Sequence, residues 1–381
     1  MIRTRHDTTT TDVRTRTGLG RRGALKAAGG GLLAGGAAAV SAPNLARGAT
    51  RWRMVTSWPK GSAGPGDSAE RVAARIGAMS GGRLTVDVYG AGELVPAFEV
   101  FDAVADGSAE MAHTASVYWT GKAPAAAFYT TVPFGLTPRE HAAWLAHGGG
   151  QALWDRLYEP FGIKPFAAGN TGTHMAGWFN APIEGPSDLE GLRVRIVGLG
   201  GEILRRMGAA PVTLPAGEIF GALQSGAIDG AEFLGPWIDS AFGFQKAASV
   251  YHWPGWSKPN GTGEALVGMD AWNALDADLK RIVAEACAAE AAEGLAEADR
   301  QNAAALDRLI SETDIALRRL PAEVIGRARV LAEEVLVDSL DDDPLSVEIR
   351  ESYMAFRAEA AAWSRVGPQA ALRTRDPADA G

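Results

Sequence analysis

Cysteine is almost missing: Cys287 is the one thiol among 381 residues. It cannot close an internal disulfide, and with six histidines the chain shows no Cys/His cluster of zinc-binding spacing. Cys287 lies in an Ala-rich helical stretch, where a thiol serves as a small apolar residue rather than a nucleophile. Long apolar runs are missing too. The uncharged Gly/Ala/Leu/Val stretch over 27–40 is short of the roughly 20 residues a membrane-spanning helix needs. Catalytic signatures are equally scarce. There is no Gly-x-Ser-x-Gly elbow, no His-Glu-x-x-His helix and no Gly-x-x-x-x-Gly-Lys phosphate loop. Gly198-Leu199-Gly200-Gly201-Glu202-Ile203 lacks the last glycine of a dinucleotide fingerprint, though a helix starting there presents N–H groups to an anion. His141 and His147 share one helical stretch with no third ligand near them, so surface or core roles suit them better than metal.

Composition is otherwise that of a globular chain, 46% hydrophobic and 22% charged, enough for one sizeable core or two. The N-terminus stands apart. Residues 1–26 are basic and Thr-rich and end in Arg21-Arg22-Gly23-Ala24-Leu25-Lys26, the uncharged run follows, and small residues surround Ala42 and Ala49. This order resembles a twin-arginine export signal, with cleavage expected between Ala42 and Ala49. The alternative, a disordered basic arm for nucleic acid, is weakened by the apolar run directly behind it. Residues 1–49 carry eight of the basic and two of the acidic residues, so the remainder holds 29 basic against 43 acidic, a net charge of −14. Such a surface argues against nucleic acid or an anionic membrane as partner. A soluble protein outside the cytoplasm is expected.

The order of elements is that of a parallel α/β sheet, present twice. Trp52 to Trp58 reads as a strand, Ser68 to Met79 as a helix with Val72, Ile76 and Met79 in register, and Gly81-Gly82 as its stop. Leu84 to Val88 alternates as a strand, Pro96 opens a helix closed by Gly107, and a third strand starts at Ala109. The pattern recurs as a strand over Val194–Val197, a helix over Gly201–Met207, a strand over Pro211–Leu214, a helix over Gly217–Ser225 and a strand over Ala227–Ala231. Glu99 to Gly107 aligns with Glu218 to Gly226 at a constant offset of 119, and each glycine is followed by a strand bearing an acid, Glu110 or Asp229. Two similar lobes with a cleft between them are expected, although helix–Gly–strand junctions look alike in many α/β proteins. Glu264 to Met269 reads as a further strand, 276–316 as one long helix or two in tandem, and 321–337 and 344–365 as helices; the tail from Gly367 reads as disordered.

Aromatics are the other signal. Of 11 tryptophans, Trp58, Trp119, Trp178, Trp237, Trp253 and Trp256 lie at predicted strand ends, many beside Gly or Pro. Singly each suits core packing; together they suggest a lined cleft. Several segments here resemble the DctP-type receptors of TRAP (tripartite ATP-independent periplasmic) transporters, in the branch for 2-oxo acids, lactate and related monocarboxylates. They are Ser57-Trp58-Pro59-Lys60-Gly61, Met79 to Leu84, Tyr89-Gly90-Ala91-Gly92-Glu93-Leu94-Val95-Pro96, Thr131 to Leu136, Gly169-Asn170-Thr171-Gly172, Gly191-Leu192-Arg193-Val194-Arg195, Ala222 to Asp229 and Gly235-Pro236-Trp237. The resemblance runs in order over about residues 50–365.

The resemblance implies a two-lobed periplasmic binding protein with a central cleft, a long lobe-spanning helix and C-terminal helices. Residues 50–172 with about 264–315 would form lobe I, 173–263 with about 316–365 lobe II and the C-terminal helices, 1–49 the signal, and 366–381 a disordered tail. It implies no catalysis, delivery to small and large membrane subunits, and a ligand carboxylate held by Arg195, whose planar guanidinium matches a carboxylate at two points. Asn170, His174, Tyr118, Trp119 and Trp178 join the candidate binding residues. The branch also implies a sodium or calcium ion bridging ligand and protein, with Glu232 and the backbone of Phe233 as ligands. At the other two ligand positions this chain has His174 and Lys258, and a charged lysine has no lone pair for a cation. Either Lys258 replaces the ion, or the alignment slips by a residue, or Lys258 faces solvent. His174 would titrate near neutrality, making affinity vary between about pH 5.5 and 8. A homodimer through the C-terminal helix is a further expectation, from the stripe Val347, Ile349, Tyr353, Phe356 and Ala360, which packing on its own lobe would explain equally well. A receptor for a larger sugar acid or aromatic carboxylate, an exported enzyme and a structural envelope protein are the rival readings.

Overall fold

The computed structural model describes residues 49–340 and 343–376; the export segment expected before Ala49 lies outside the described residues. Eleven strands are described: β1 (Thr50–Thr56), β2 (Leu84–Tyr89), β3 (Met111–Thr114), β4 (Ile163–Asn170), β5 (Gly177–Phe179), β6 (Arg193–Arg195), β7 (Ala210–Val212), β8 (Gly230–Ala231), β9 (Val250–Trp253), β10 (Thr262–Gly268) and β11 (Ala316–Arg319). They form two sheets, in the orders β2-β1-β3-β10-β4 and β11-β9-β5-β8-β6-β7.

The duplication seen in the sequence is a duplication of topology. In sheet I, β1 lies parallel between β2 and β3; in sheet II, β6 lies parallel between β7 and β8. Even the pinning contacts repeat. Glu110 accepts from the backbone N, Nε and Nη2 of Arg53 on β1, and Asp229 accepts from the same three groups of Arg193 on β6. A carboxylate just before the third strand thus closes a bidentate fork on the first, which locks the register of the pair.

Each sheet takes its next strand from the other half of the chain. β10 returns from lobe II to lie antiparallel to β3, and β5 crosses from lobe I to lie antiparallel to β8. The chain therefore crosses between lobes at 171–176 and 254–261. The two crossings run side by side, with Thr171 N donating to Gly261 O (3.0 Å) and His174 N to Lys258 O (3.4 Å). A third link is one unbroken 36-residue helix, Ala277–Glu312. Its buried face runs through Leu279, Val283, Cys287, Gly294, Ala298 and Leu309. Cys287 is fully buried and its thiol is pushed up to about 12 by that burial, so it packs as an apolar residue.

Three expectations need correction. The helix expected from Pro96 starts at Val100, because the residues between form turns. The C-terminal helices do not all belong to lobe II. The helix Ala322–Asp338 is tied there through Arg206, which donates to Asp338. The helix Pro344–Val366 instead packs on lobe I, where Ile349 and Tyr353 are buried and the Tyr353 ring lies 5.1 Å from both Phe128 and Trp144. Two residues of the expected dimer stripe, Ile349 and Tyr353, therefore pack within the chain. The tail is not all irregular either: a proline in the first turn followed by Gln, Ala, Leu and Arg, good helix formers, makes a helix over Pro368–Arg375.

Glu264, on β10, is fully buried, and burial raises its carboxyl to about 8 although it accepts from Trp119 Nε1 (2.6 Å) and Tyr158 Oη (3.2 Å). The folded state then holds a proton that the unfolded chain releases near the ordinary value of 4.5. Stability should fall as pH rises from about 5 to 8. In Glu264→Gln that loss should shrink by about 2 kcal/mol or more, read from denaturant unfolding at the two pH values. Equal losses in both proteins would show that this carboxyl is not the source.

Candidate functional site

The two crossings and the ends of β6 and β8 converge on a buried polar cluster. Arg195 ends β6, fully buried between the neighbouring strands. Its Nε and Nη2 donate to Leu214 O (3.1 and 3.0 Å) and its Nη1 to Glu232 O (3.0 Å). Both acceptors are backbone carbonyls. Its guanidinium lies 5.3 Å from the centre of the Phe233 ring. Tyr118 approaches from lobe I; burial raises its hydroxyl pKa and the Arg195 charge opposes the rise.

Glu232 follows β8 and is 1% exposed. Its Oε2 lies 2.9 Å from Lys258 Nζ, and Lys258 also donates to Phe233 O at 2.8 Å. Burial raises the Glu232 carboxyl, opposed by Lys258, and lowers the Lys258 ammonium, opposed by Glu232. Wherever the shared proton sits, this pair is neutral as a unit. Arg195 is then left as the unbalanced charge of the cluster. A buried cation without an anion costs several kcal/mol, which a carboxylate can offset.

His174 pairs through Nε2 with Thr171 Oγ1 (2.7 Å), while its Nδ1 has no hydrogen-bond partner and lies 3.9 Å from Glu232 Oε1, which has none either. Burial, with Lys258 adding to it, pushes His174 well below its ordinary value. The expectation that His174 titrates near neutrality meets a burial that disfavours its charged form. Asn170 braces the crossings, donating to Asn260 Oδ1 (2.9 Å) and Thr262 Oγ1 (3.2 Å) and accepting from Gly172 N (2.8 Å).

A cavity of about 50 Å³ lies against these groups, lined by His174, Lys258, Phe233, Tyr118, Asn170 and, on the lobe I side, Trp58 and His113. Arg195 does not line it; its guanidinium neighbours two residues that do, Phe233 and Tyr118. Trp58 donates to His113 Nδ1 (2.9 Å), so the other ring nitrogen of His113 donates to Ala168 O (2.6 Å). His113 was missed in the sequence because its partner lies 55 residues away. Trp119 and Trp178 are not cleft residues. Both are buried core, the first donating to Glu264, the second to Asp239 (3.0 Å) while stacking on Tyr251.

The lobes touch across the cavity mouth. Trp58, Ala115 and Val117 of lobe I form one apolar cluster with Val197 of lobe II. Gly198 is part of this contact: at φ +68° it follows β6, and a Cβ there would lie 2.4 Å from Val117 Cγ2.

Two duplicated lobes, paired crossings and a small cavity at their junction define the architecture of a bilobed solute-binding protein. The chain belongs to the bacterial extracellular solute-binding protein family 7 (DctP), whose pattern matches residues 55–341. It is 42% identical over 316 residues to a monocarboxylate 2-oxoacid-binding periplasmic protein of Nostoc sp., covering 83% of this chain and 86% of that protein. A TRAP transporter solute-binding protein from Bordetella bronchiseptica, a mixed-occupancy dimer with copurified calcium and picolinate, is 34% identical at a TM-score of 0.84, covering 87% of this chain and 98% of that one. A TRAP periplasmic solute-binding protein from Pseudoalteromonas atlantica with bound sodium and pyruvate is 35% identical at 0.83, covering 86% and 99%. This chain is a TRAP-type solute receptor, of a family whose members are extracytoplasmic binding proteins rather than enzymes. Among the described residues no helix is long and apolar enough to cross a membrane.

Gly198→Ala should strain the backbone and press a methyl on Val117, costing about 1–3 kcal/mol and parting the lobes. Small-angle scattering should give a larger radius of gyration than wild type; equal radii would mean that this contact does not hold the lobes together.

Proposed function

We propose that this receptor binds a small 2-oxo or 2-hydroxy monocarboxylate for delivery to the membrane subunits of its transporter. The observation that carries the proposal is Arg195: a buried guanidinium that donates to the carbonyl oxygens of Leu214 and Glu232 and neighbours the Tyr118 hydroxyl, with no carboxylate among its hydrogen-bond partners. The ligand carboxylate supplies the missing negative charge once Tyr118 and Phe233 give way at the cavity wall. A cavity of about 50 Å³ suits an acid of pyruvate or lactate size. A second cation near Glu232 and Phe233 faces the ligand's remaining oxygens, either a sodium or calcium ion or the Lys258 ammonium.

In Arg195→Ala the ligand carboxylate enters the same apolar wall unpaired, which costs about 2–5 kcal/mol, or roughly 30- to several-thousand-fold in affinity. Calorimetry with pyruvate and lactate reads this directly. Affinities within a few-fold of wild type would remove Arg195 from the site.

We also propose that the segment before Ala49 directs export by the twin-arginine pathway, on the strength of Arg21-Arg22 ahead of the uncharged run 27–40. Exchange of the pair for Lys-Lys should leave precursor in the cytoplasm; normal processing of that variant would overturn the pathway assignment.

A further inference from the structure

We propose that Lys258 is a built-in cation which makes ligand binding independent of metal and changes what the site rewards in a ligand. The inference rests on the carboxylate reading above and deepens it. The two similar receptors described above hold sodium with pyruvate and calcium with picolinate. Here the corresponding positive charge is covalent. Lys258 reaches the site from the second crossing, is 5% exposed, and lines the cavity. Its Nζ lies 2.9 Å from Glu232 Oε2 and donates to Phe233 O at 2.8 Å. A carboxylate oxygen and a backbone carbonyl are the donor types that a hard cation takes, and the ammonium already holds one of each. A sodium or calcium ion at the same two oxygens would sit within van der Waals distance of Nζ and be repelled by it. Of the other unpartnered polar atoms, Glu232 Oε1 belongs to the carboxylate already facing Lys258, and His174 Nδ1 is a nitrogen, which such ions accept poorly. The residues present fit an ammonium and do not fit a bridging metal.

This has a consequence for selectivity. A metal ion can hold the carboxylate and the 2-oxygen of a ligand together. An ammonium has three hydrogens: one is donated to Phe233 O, the charge faces Glu232 Oε2 at 2.9 Å, and at least one hydrogen is left for the ligand. The 2-oxygen of the acid is therefore worth one charge-assisted hydrogen bond, and an oxo or a hydroxyl oxygen can accept it equally. His174 Nδ1, buried and without a partner, adds a second polar contact on the same side. The site should then tell pyruvate from lactate poorly. It should prefer both over propionate, which has the same length and no 2-oxygen, by roughly 10- to 150-fold.

The test is calorimetry of the full mature protein, refolded free of endogenous ligand, in sodium-free Tris buffer with EDTA and again with added calcium or sodium. Wild-type affinity for pyruvate should stay within about three-fold across these conditions, and lactate should bind within about ten-fold of pyruvate. Lys258→Gln should lose at least about 30-fold in EDTA, with part of the loss recovered in calcium. Wild-type binding that vanishes in EDTA and returns with calcium or sodium would overturn the inference and leave the carboxylate receptor standing. Unchanged affinity of Lys258→Gln in EDTA would overturn it as well. No binding of any of the three acids, with or without metal, would overturn the carboxylate reading and this inference with it. The wild-type arms need no variant, so the result does not depend on whether Lys258→Gln folds.

Discussion

One charge sets the terms for the rest of the site. Arg195 lies fully buried at the end of a sheet II strand, and the protein around it offers carbonyl dipoles but no net negative charge, because Glu232 is matched by Lys258. Carbonyls fix the guanidinium plane and thereby its orientation. They do not neutralise it. A chain that buries a fixed cation in this way carries a standing cost in stability, which a ligand carboxylate would recover under the function proposed above. Affinity and selectivity for an anion then come from the same term, and the scaffold's task is to keep water and other anions from satisfying that charge when the lobes are together.

The scaffold does this through exchange. Each sheet borrows a strand from the other half of the chain, so the cavity lies where two crossing segments run side by side. His174 sits on one crossing and Lys258 on the other, while Arg195 ends a strand of sheet II and Glu232 follows another. Closure and site assembly are therefore linked: a rotation of one lobe must pass through the backbone that carries His174 and Lys258. The apolar contact of Val117 with Val197 and Gly198 closes the mouth without a specific polar bond. That suits a receptor that must also reopen, since hydrophobic contact area is regained at many relative angles whereas a hydrogen bond is not.

Much of this was legible in the residues. The repeat at an offset of 119 is the repeat of the βαβαβ unit, and Glu110 and Asp229, singled out for following each glycine, close the same arginine fork in both lobes. The long Pro-free run is one helix. Arg195, Glu232, Phe233, His174 and Lys258 do converge. What could not be read was anything that depends on partners distant in the chain. Trp58 and His113 are coupled across 55 residues, and Tyr353 docks on Phe128 and Trp144 from more than two hundred positions away. His174 looks like a residue poised to titrate until its complete burial beside Lys258 is known. Local pattern carries periodicity and turn chemistry; it carries no information about desolvation.

The misplaced tryptophans make the same point from the other side, and they expose a second symmetry. Trp119 and Trp178 stand at strand ends in Gly-rich surroundings, which suggested a cleft. Each instead gives its indole N–H to a buried acid, and in each lobe a tyrosine hydroxyl joins it: Trp119 and Tyr158 on Glu264, Trp178 and Tyr251 on Asp239. Both acids are raised by burial, Glu264 to about 8 and Asp239 to about 7. A single Trp–Tyr pair on a carboxyl is a common way to satisfy a buried group. Its recurrence in both lobes gives the pair a job in positioning. Glu264 lies on β10, the strand that follows the second crossing, and Asp239 takes Leu234 N (3.0 Å), next to the Phe233 carbonyl that holds Lys258. Asp239 thus fixes backbone beside the cavity, whereas the Glu264 carboxyl takes two side chains, on the strand whose first residue, Thr262, lines the cavity.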